Sequence, residues 1–236
     1  VDEIIADGFY ICDMVPTYIE SGEPKAIEFG RTFERMSSLL ARKKPHAVLL
    51  IGDRIEPYAS ALAAHFLGIP ILHIGGGHIT KGAVDNIYRY NISNLASLHF
   101  TTTKNTYERL CSTPVVDNTT VYFIGSVAID AIMEFKKVPK PISTIVKGLI
   151  PGQFALMTFH PVTATQEPIQ EIMQVAIDQI LKSGFAILLT YPNNDLGSEF
   201  ILEVISENRK RAGIFVKPSL GSKDYHAALN DCSFVI

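Results

Sequence analysis

The chain is 236 residues long, 47% hydrophobic and 19% charged, enough apolar material for one large or two ordinary domains with real cores and too much for a disordered polypeptide. A net charge of −3 and a pI near 6.2 lack the basic footprint that nucleic-acid binding demands, so no nucleic-acid partner is expected. Cys12, Cys111 and Cys232 are odd in number, far apart and without metal-ligand spacing, no charged-then-apolar leader pattern is seen in these residues, and no uncharged apolar run has membrane length; the expectation is a cytoplasmic protein with reduced thiols and no membrane partner.

The chain opens on Val1 without an initiator Met and closes on Ser233-Phe-Val-Ile236, an apolar run resembling an interrupted strand, so both ends are expected to be fragment ends. Residues 1 to 22 are mixed. From Pro24 to about Arg42, Ile27, Phe33, Met36, Leu39 and Leu40 recur at helical spacing with cations in the last turn, the pattern of an amphipathic helix. His46 to Ile51 reads as a strand buried on both faces, ending at Gly52-Asp53-Arg54. Ala59 to Leu67 is a small, apolar helix, and Gly68-Ile-Pro70 leads into a strand from Ile71 to Ile74. The alternation continues with helix Asp85 to Ala96, strand Leu98 to Thr102, helix Lys104 to Cys111, strand Val121 to Ile124 and helix Ala128 to Phe135. Such alternation predicts a parallel sheet with helices on both faces and ligands beyond the carboxyl ends of its strands.

Lys136-Lys-Val-Pro-Lys-Pro141 is charged and proline-bearing and reads as a linker, giving a first domain over 1–135, a connecting region over 136–150 and a second domain over 151–236. In the second, strand Phe154 to Phe159, helix Pro168 to Lys182, strand Ala186 to Tyr191, helix Ser198 to Arg209, strand Gly213 to Val216, helix Lys223 to Asn230 and a strand from Ser233 are expected.

Chemistry is expected where the strand Ile71 to Ile74 stops at Gly75-Gly76-Gly77 and His78. Three glycines offer bare backbone on which a ligand can lie, although a plain strand-to-helix turn uses the same residues. Asp85 and Arg89 share a helical face and can hold each other in register under a sugar or phosphate. Asp53 and Arg54 follow a strand directly, as an acid-base pair or as a helix N-cap with a surface Arg. His160, ahead of a proline at a strand end, suits proton transfer or a phosphate contact, though a lone His is often structural. Tyr191-Pro-Asn-Asn-Asp195 supplies amide and carboxylate groups, or a turn. His73 and His99 lie inside apolar strands and read as hydrogen-bonded core residues; no spacing supports a metal, no GxGxxG follows the first strand, and no phosphate-loop or nucleophile-elbow pattern occurs.

Taken in order, Gly52-Asp-Arg54, His73-Ile-Gly-Gly-Gly-His-Ile-Thr80, Gly82-Ala-Val-Asp-Asn-Ile-Tyr-Arg89, His99-Phe-Thr-Thr-Thr103, Thr158-Phe-His-Pro-Val-Thr163 and Tyr191-Pro-Asn-Asn-Asp195 resemble the UDP-N-acetylglucosamine 2-epimerases over nearly the whole chain. The likeness is strongest to the hydrolysing branch that makes N-acetylmannosamine for sialic-acid synthesis. It implies a GT-B arrangement, two Rossmann-like domains with the site in the cleft between them, a UDP-sugar substrate, no cofactor, no metal and a homodimer. It implies elimination of UDP to a 2-acetamidoglucal followed by water addition, with Asp53, Asp85, Arg89 and His160 as catalytic residues and Arg54 and Asn193 on the nucleotide; the residue types themselves add His78 as a candidate proton carrier and Gly76, Gly77 and Asp195 as candidate substrate contacts. Gly75 and His78 depart from the family, which carries an acidic residue in this motif, and Tyr90 stands where His usually follows the Arg. The departures keep two alternatives in view, a GT-B glycosyltransferase and a catalytically silent nucleotide-sugar-binding domain.

Overall fold

The apolar run after His46 becomes β1 (Val48–Ile51), and its Gly52 swings into a left-handed turn at φ 83° that sends the chain directly into α3 (Ile55–Phe66). The computed structural model describes residues 2–17, 24–136, 140–160, 168–193 and 197–236, and the chain divides into two units, Val1–Val127 and Ala128–Ile236.

In the first unit, α1 (Asp2–Ala6) and α2 (Lys25–Lys43) precede β1 and α3; β2 (Ile71–Ile74), α4 (Asp85–Leu95), β3 (Leu98–Thr101), α5 (Lys104–Cys111) and β4 (Val121–Phe123) follow. α2 carries Arg42 and Lys43 in its last turn and ends at Lys44, which is left-handed at φ 48° and donates its N–H to the Leu40 carbonyl. α3 is built on Ala59, Ala61, Ala63 and Ala64, all fully buried, and lacks the side-chain bulk that would keep α2 and α4 at a distance. Thr103 and Thr106 form a reciprocal capping box that starts α5.

The strands are parallel in the order β1-β2-β3-β4. Register places Leu50, His73, His99 and Val121 in one row and Ile51, Ile74, Phe100 and Tyr122 in the next, which points to the opposite face. The first row is buried, with Leu50 packed in a core of Leu40, Ala61, Ala63, Ala64 and Ile92 and Val121 in a separate one with Leu110 and Val116. That opposite face is open: Leu49 is 55% exposed, Ile51 64% and Tyr122 49%, with Tyr122 stacked on Phe100. The expectation that β1 is buried on both faces is therefore corrected. Each β-α-β step advances the same way across the sheet, so right-handed crossovers deliver α3, α4 and α5 to one side.

The second unit holds α6 (Val127–Phe135), whose first residue is the last of the first unit, then β5 (Phe154–Met157), α7 (Ile169–Lys182), β6 (Ala186–Thr190), α8 (Ser198–Asn208), β7 (Ile214–Lys217), α9 (Gly221–Asp231) and β8 (Phe234–Val235). Its parallel order is β7-β6-β5-β8, with winding that reverses beside β5. One face packs Ala155, Met157, Ile187 and Leu189 against Met173, Ile177, Ile201 and Ile205; the other packs Phe154, Leu156 and Leu188 against Ile142, Val146, Leu149 and Ala228. Ile142, Val146 and Leu149 lie in the stretch expected to connect domains, yet they supply core here, and the Ile142 N–H donates to Asp231 over 2.8 Å. Of the linker motif, residues 137–139 lie outside the described residues. No described helix is long and apolar enough to cross a membrane.

Candidate functional site

The carboxyl ends of β1 and β2 are tied together before any polar side chain arrives. The Gly52 N–H donates to the Ile74 carbonyl (3.1 Å) and the Gly75 N–H to the Phe100 carbonyl (3.1 Å), so the ladder runs one residue past each strand. Beneath them His73 is fully buried, its Nε2 2.9 Å from the Gly52 carbonyl and its Nδ1 3.2 Å from the Ser93 hydroxyl. A carbonyl only accepts, so Nε2 holds the proton and Nδ1 accepts from Ser93. Burial lowers the His73 pKa, against a smaller raising effect of the Gly52 hydrogen bond, and keeps the ring neutral.

Gly76 and Gly77 have a different reason to be glycine from the one their composition suggests. A Cβ on Gly76 would lie 2.7 Å from the Ser93 hydroxyl, and one on Gly77, at φ 81°, would lie 2.6 Å from the Thr106 carbonyl. Both residues are buried, and Arg109 donates from Nη1 to the Gly77 carbonyl. The demand for glycine thus arises inside the protein, from α4 and α5.

Arg89 is the centre of the polar cluster. Projecting from α4 and only 6% exposed, it donates to the Asp53 carboxylate from Nη2, and from Nη1 to the His78 carbonyl (2.9 Å) and the Asn86 side-chain oxygen (2.9 Å). Burial lowers its pKa, with Tyr90 acting weakly the other way. A buried guanidinium without a carboxylate is costly, so Asp53 and Arg89 hold each other although 36 residues separate them. Of the residues expected from the sequence, the structure brings Asp53, Arg89 and His78 together. His78 also places Nε2 2.7 Å from the Thr102 hydroxyl. Asp85 is half-buried in the first turn of α4, where the helix dipole favours a carboxylate. Arg54 caps the start of α3 in extended conformation, its side chain 43% exposed and 3.6 Å from Glu56.

Residues not singled out from the sequence complete the cluster. Asn86 grips the loop before α4 through Thr80, while Thr102, Ser93 and Arg109 hydrogen-bond to His78, His73 and Gly77. The signal for Asn86 was present in its spacing, three residues before Arg89 on a helix.

In the second unit, the Thr158 hydroxyl lies 2.5 Å from that of Thr190 and 3.3 Å from that of Tyr225, joining the ends of β5 and β6 to α9. His160, two residues beyond Thr158, and Asn193, three beyond Thr190, are both exposed at these strand ends. Asp195 lies outside the described residues. The winding reversal beside β5 puts His160 where parallel sheets commonly open for a ligand.

His99 departs from expectation in one respect: it is buried, but its Nδ1 has no hydrogen-bond partner, and burial, with a smaller repulsion between protons on His99 and His73, pulls its pKa down to about 4. Among the described residues no group of three or more His, Cys, Asp or Glu is arranged to hold a metal ion. A shallow depression lined by Tyr107, Glu108, Cys111, Ser112, Asn118 and Thr119 lies toward the amino end of β4, away from the carboxyl strand ends.

The profile of the UDP-N-acetylglucosamine 2-epimerase family matches residues 2–236. The chain belongs to that family. A UDP-N,N'-diacetylbacillosamine 2-epimerase (hydrolyzing) from Legionella pneumophila is 31% identical over 210 residues, 88% of this chain and 55% of the relative. A UDP-N-acetylglucosamine 2-epimerase from Neisseria meningitidis is 29% identical over 77% of this chain and 48% of its own length. The chain spans about half the length of these family members. Among solved structures, the Neisseria meningitidis UDP-GlcNAc 2-epimerase bound to UDP-GlcNAc superposes with a TM-score of 0.77 at 16% identity, covering 92% of this chain and 61% of that one; the Methanocaldococcus jannaschii enzyme in complex with UDP-GlcNAc and UDP gives 0.76 at 15%, over 91% and 60%. These likenesses place the chain in the two-sheet α/β fold of GT-B type that the family shares.

Proposed function

We propose that the full-length protein is a hydrolysing nucleotide-sugar 2-epimerase that takes a UDP-activated 2-acetamido sugar and releases UDP and the free sugar inverted at C2. The observation that carries the reading is buried Arg89 paired with half-buried Asp53, with Asp85 one helical turn before the Arg, at the carboxyl ends of β1 and β2. A base removes the C2 proton, those electrons form the C1–C2 double bond, and the C1–oxygen bond breaks with its pair leaving on UDP. Water then adds across the glucal, hydroxyl to C1 and hydrogen to C2. Inversion requires the proton to leave one face and return to the other, so two groups are needed.

In this reading Asp85 takes the proton. Asp53, already engaged by Arg89, orients the sugar, and His78, hydrogen-bonded to Thr102, returns the proton where the family carries an acid. Arg54, Asn193 and Asp195 contact the nucleotide, and His160 meets the departing diphosphate. Expelling a dianion needs such cationic and hydrogen-bonding groups.

The test incubates the full-length protein with UDP-N-acetylglucosamine and, because two relatives carry the name, with UDP-N,N'-diacetylbacillosamine. UDP and the epimerised free sugar should appear together, with one deuterium at C2 when the solvent is heavy water. UDP release only with an added acceptor would indicate a glycosyltransferase, and saturable binding without either product a silent binding domain. The Asp85→Asn variant should lose turnover while keeping ligand affinity within about tenfold; unchanged turnover removes Asp85 from the mechanism.

A further inference from the structure

Asn86 sits in the cluster without an assigned role, and its hydrogen bonding is complete. Its side-chain oxygen accepts from the Thr80 N–H (2.9 Å) and from Arg89 Nη1 (2.9 Å). Its amide nitrogen donates to the Thr80 carbonyl (2.6 Å) and to the Ala83 carbonyl (2.9 Å). A primary amide offers two protons and two lone pairs, and here all four are used. The orientation is unambiguous, because a backbone N–H and a guanidinium only donate while two carbonyls only accept; turning the amide over would set donor against donor and acceptor against acceptor.

No other common side chain meets this demand. Aspartate accepts from Thr80 and Arg89 but sets a carboxylate oxygen against two carbonyls. A helix-start Asn usually satisfies its own turn alone, whereas this one spends a lone pair on the guanidinium. The same nitrogen of Arg89 reaches the His78 carbonyl, so Nη1 is fixed from two sides while Nη2 points at Asp53.

We infer that Asn86 is the positioning residue of the site, latching the loop from His78 to Val84 onto the start of α4 and holding the Arg89 guanidinium on Asp53. It acts through Arg89 and touches no reacting atom. The kinetic part of this inference rests on the epimerase reading; the structural part does not.

The experiment uses the full-length protein with Asn86→Ala and Asn86→Asp. In Asn86→Ala the amide of Thr80 should lose at least tenfold in hydrogen-exchange protection while β2 amides stay unchanged, and its crystal structure should show Arg89 turned away from Asp53. Turnover of the UDP-sugar should fall ten- to a hundredfold in kcat, with KM changed less than threefold. Asn86→Asp keeps the acceptor for Arg89 and loses the two donors, so it should restore kcat to within about fivefold of wild type while Thr80 still exchanges rapidly. Arg89 remaining on Asp53 in Asn86→Ala overturns the inference, as does activity that falls only in proportion to folded protein. If wild type turns over neither nucleotide sugar, the epimerase reading fails, and Arg89 in the Asn86→Ala crystal still decides the positioning claim.

Discussion

The two sheets share parallel strands and four-strand width but not their surroundings. In the second unit the winding reverses beside β5, helices reach both faces, and every residue of β5 is buried; in the first the winding runs one way, burial falls on one face, and strands alternate between covered and open positions. The covered face of the first sheet carries His73, His99 and Thr101 at full burial, whereas the second buries a nearly uninterrupted apolar set. The difference teaches where each unit places its polarity. The second keeps an apolar sheet core with the Thr158 and Thr190 hydroxyls at its strand ends; the first places His73 and His99 in its core, His73 fixing the backbone at Gly52, and carries the Asp53–Arg89 ion pair just beyond.

This contrast can be broken by substitution. The largest effect is expected at Leu156, fully buried at the centre of the second sheet: Leu156→Ala should lower stability by about 3–5 kcal/mol in urea unfolding, through lost transfer energy and the cavity left behind. A smaller loss near 1 kcal/mol would mean that the core collapses around the gap.

Next comes acid. The folded pKa of His99 lies at about 4, below its ordinary 6.5, so the unfolded chain binds the proton first. Stability is fully present above about pH 6.5 and is lost as pH falls toward 4, by about 2–3 kcal/mol between pH 7 and 4.5 from this group, at roughly 1.4 kcal/mol per pK unit. Burial drives His73 in the same direction. Urea unfolding across this range should show wild type losing about 2–3 kcal/mol relative to His99→Leu as pH falls from 7 to 4.5, because Leu cannot titrate; parallel curves would dismiss His99 as the source.

Gly77→Ala should cost about 2 kcal/mol, since the added methyl meets the Thr106 carbonyl at a positive φ, whereas Gly125→Ala, with open space around the same kind of φ, should cost about 1. Equal losses would show that backbone strain alone decides both. The smallest change is expected for Leu49→Ser on the open face of β1, within about 0.5 kcal/mol by the same melts. A loss above 2 kcal/mol would mean that this face is covered in solution.

Much of this architecture was legible. Continuous apolar runs marked β5 and β6, helical spacing marked α2 and α7, and the ends of α5 agree with expectation because Thr103 and Cys111 bracket a complete capped helix. The face of β1 was misread because a run of apolar residues looks the same whether one side or two are packed. The site was legible in its residue types, since Asp53 and His78 follow strand ends and Asp85 and Arg89 share one face of α4, but not in its pairing. Asn86 escaped notice because its importance lies in which four groups surround it.

The sequence by itself determined the alternation of strands and helices, the positions of the strand ends and the family to which the chain belongs, since these follow from local periodicity and ordered motifs. Only the tertiary structure decided that Arg89 reaches Asp53, that Gly76 and Gly77 are demanded by α4 and α5, and that one sheet is packed on both faces while the other is open on one. Each of those outcomes depends on groups tens of residues apart arriving at the same few ångströms, and no local pattern carries that information.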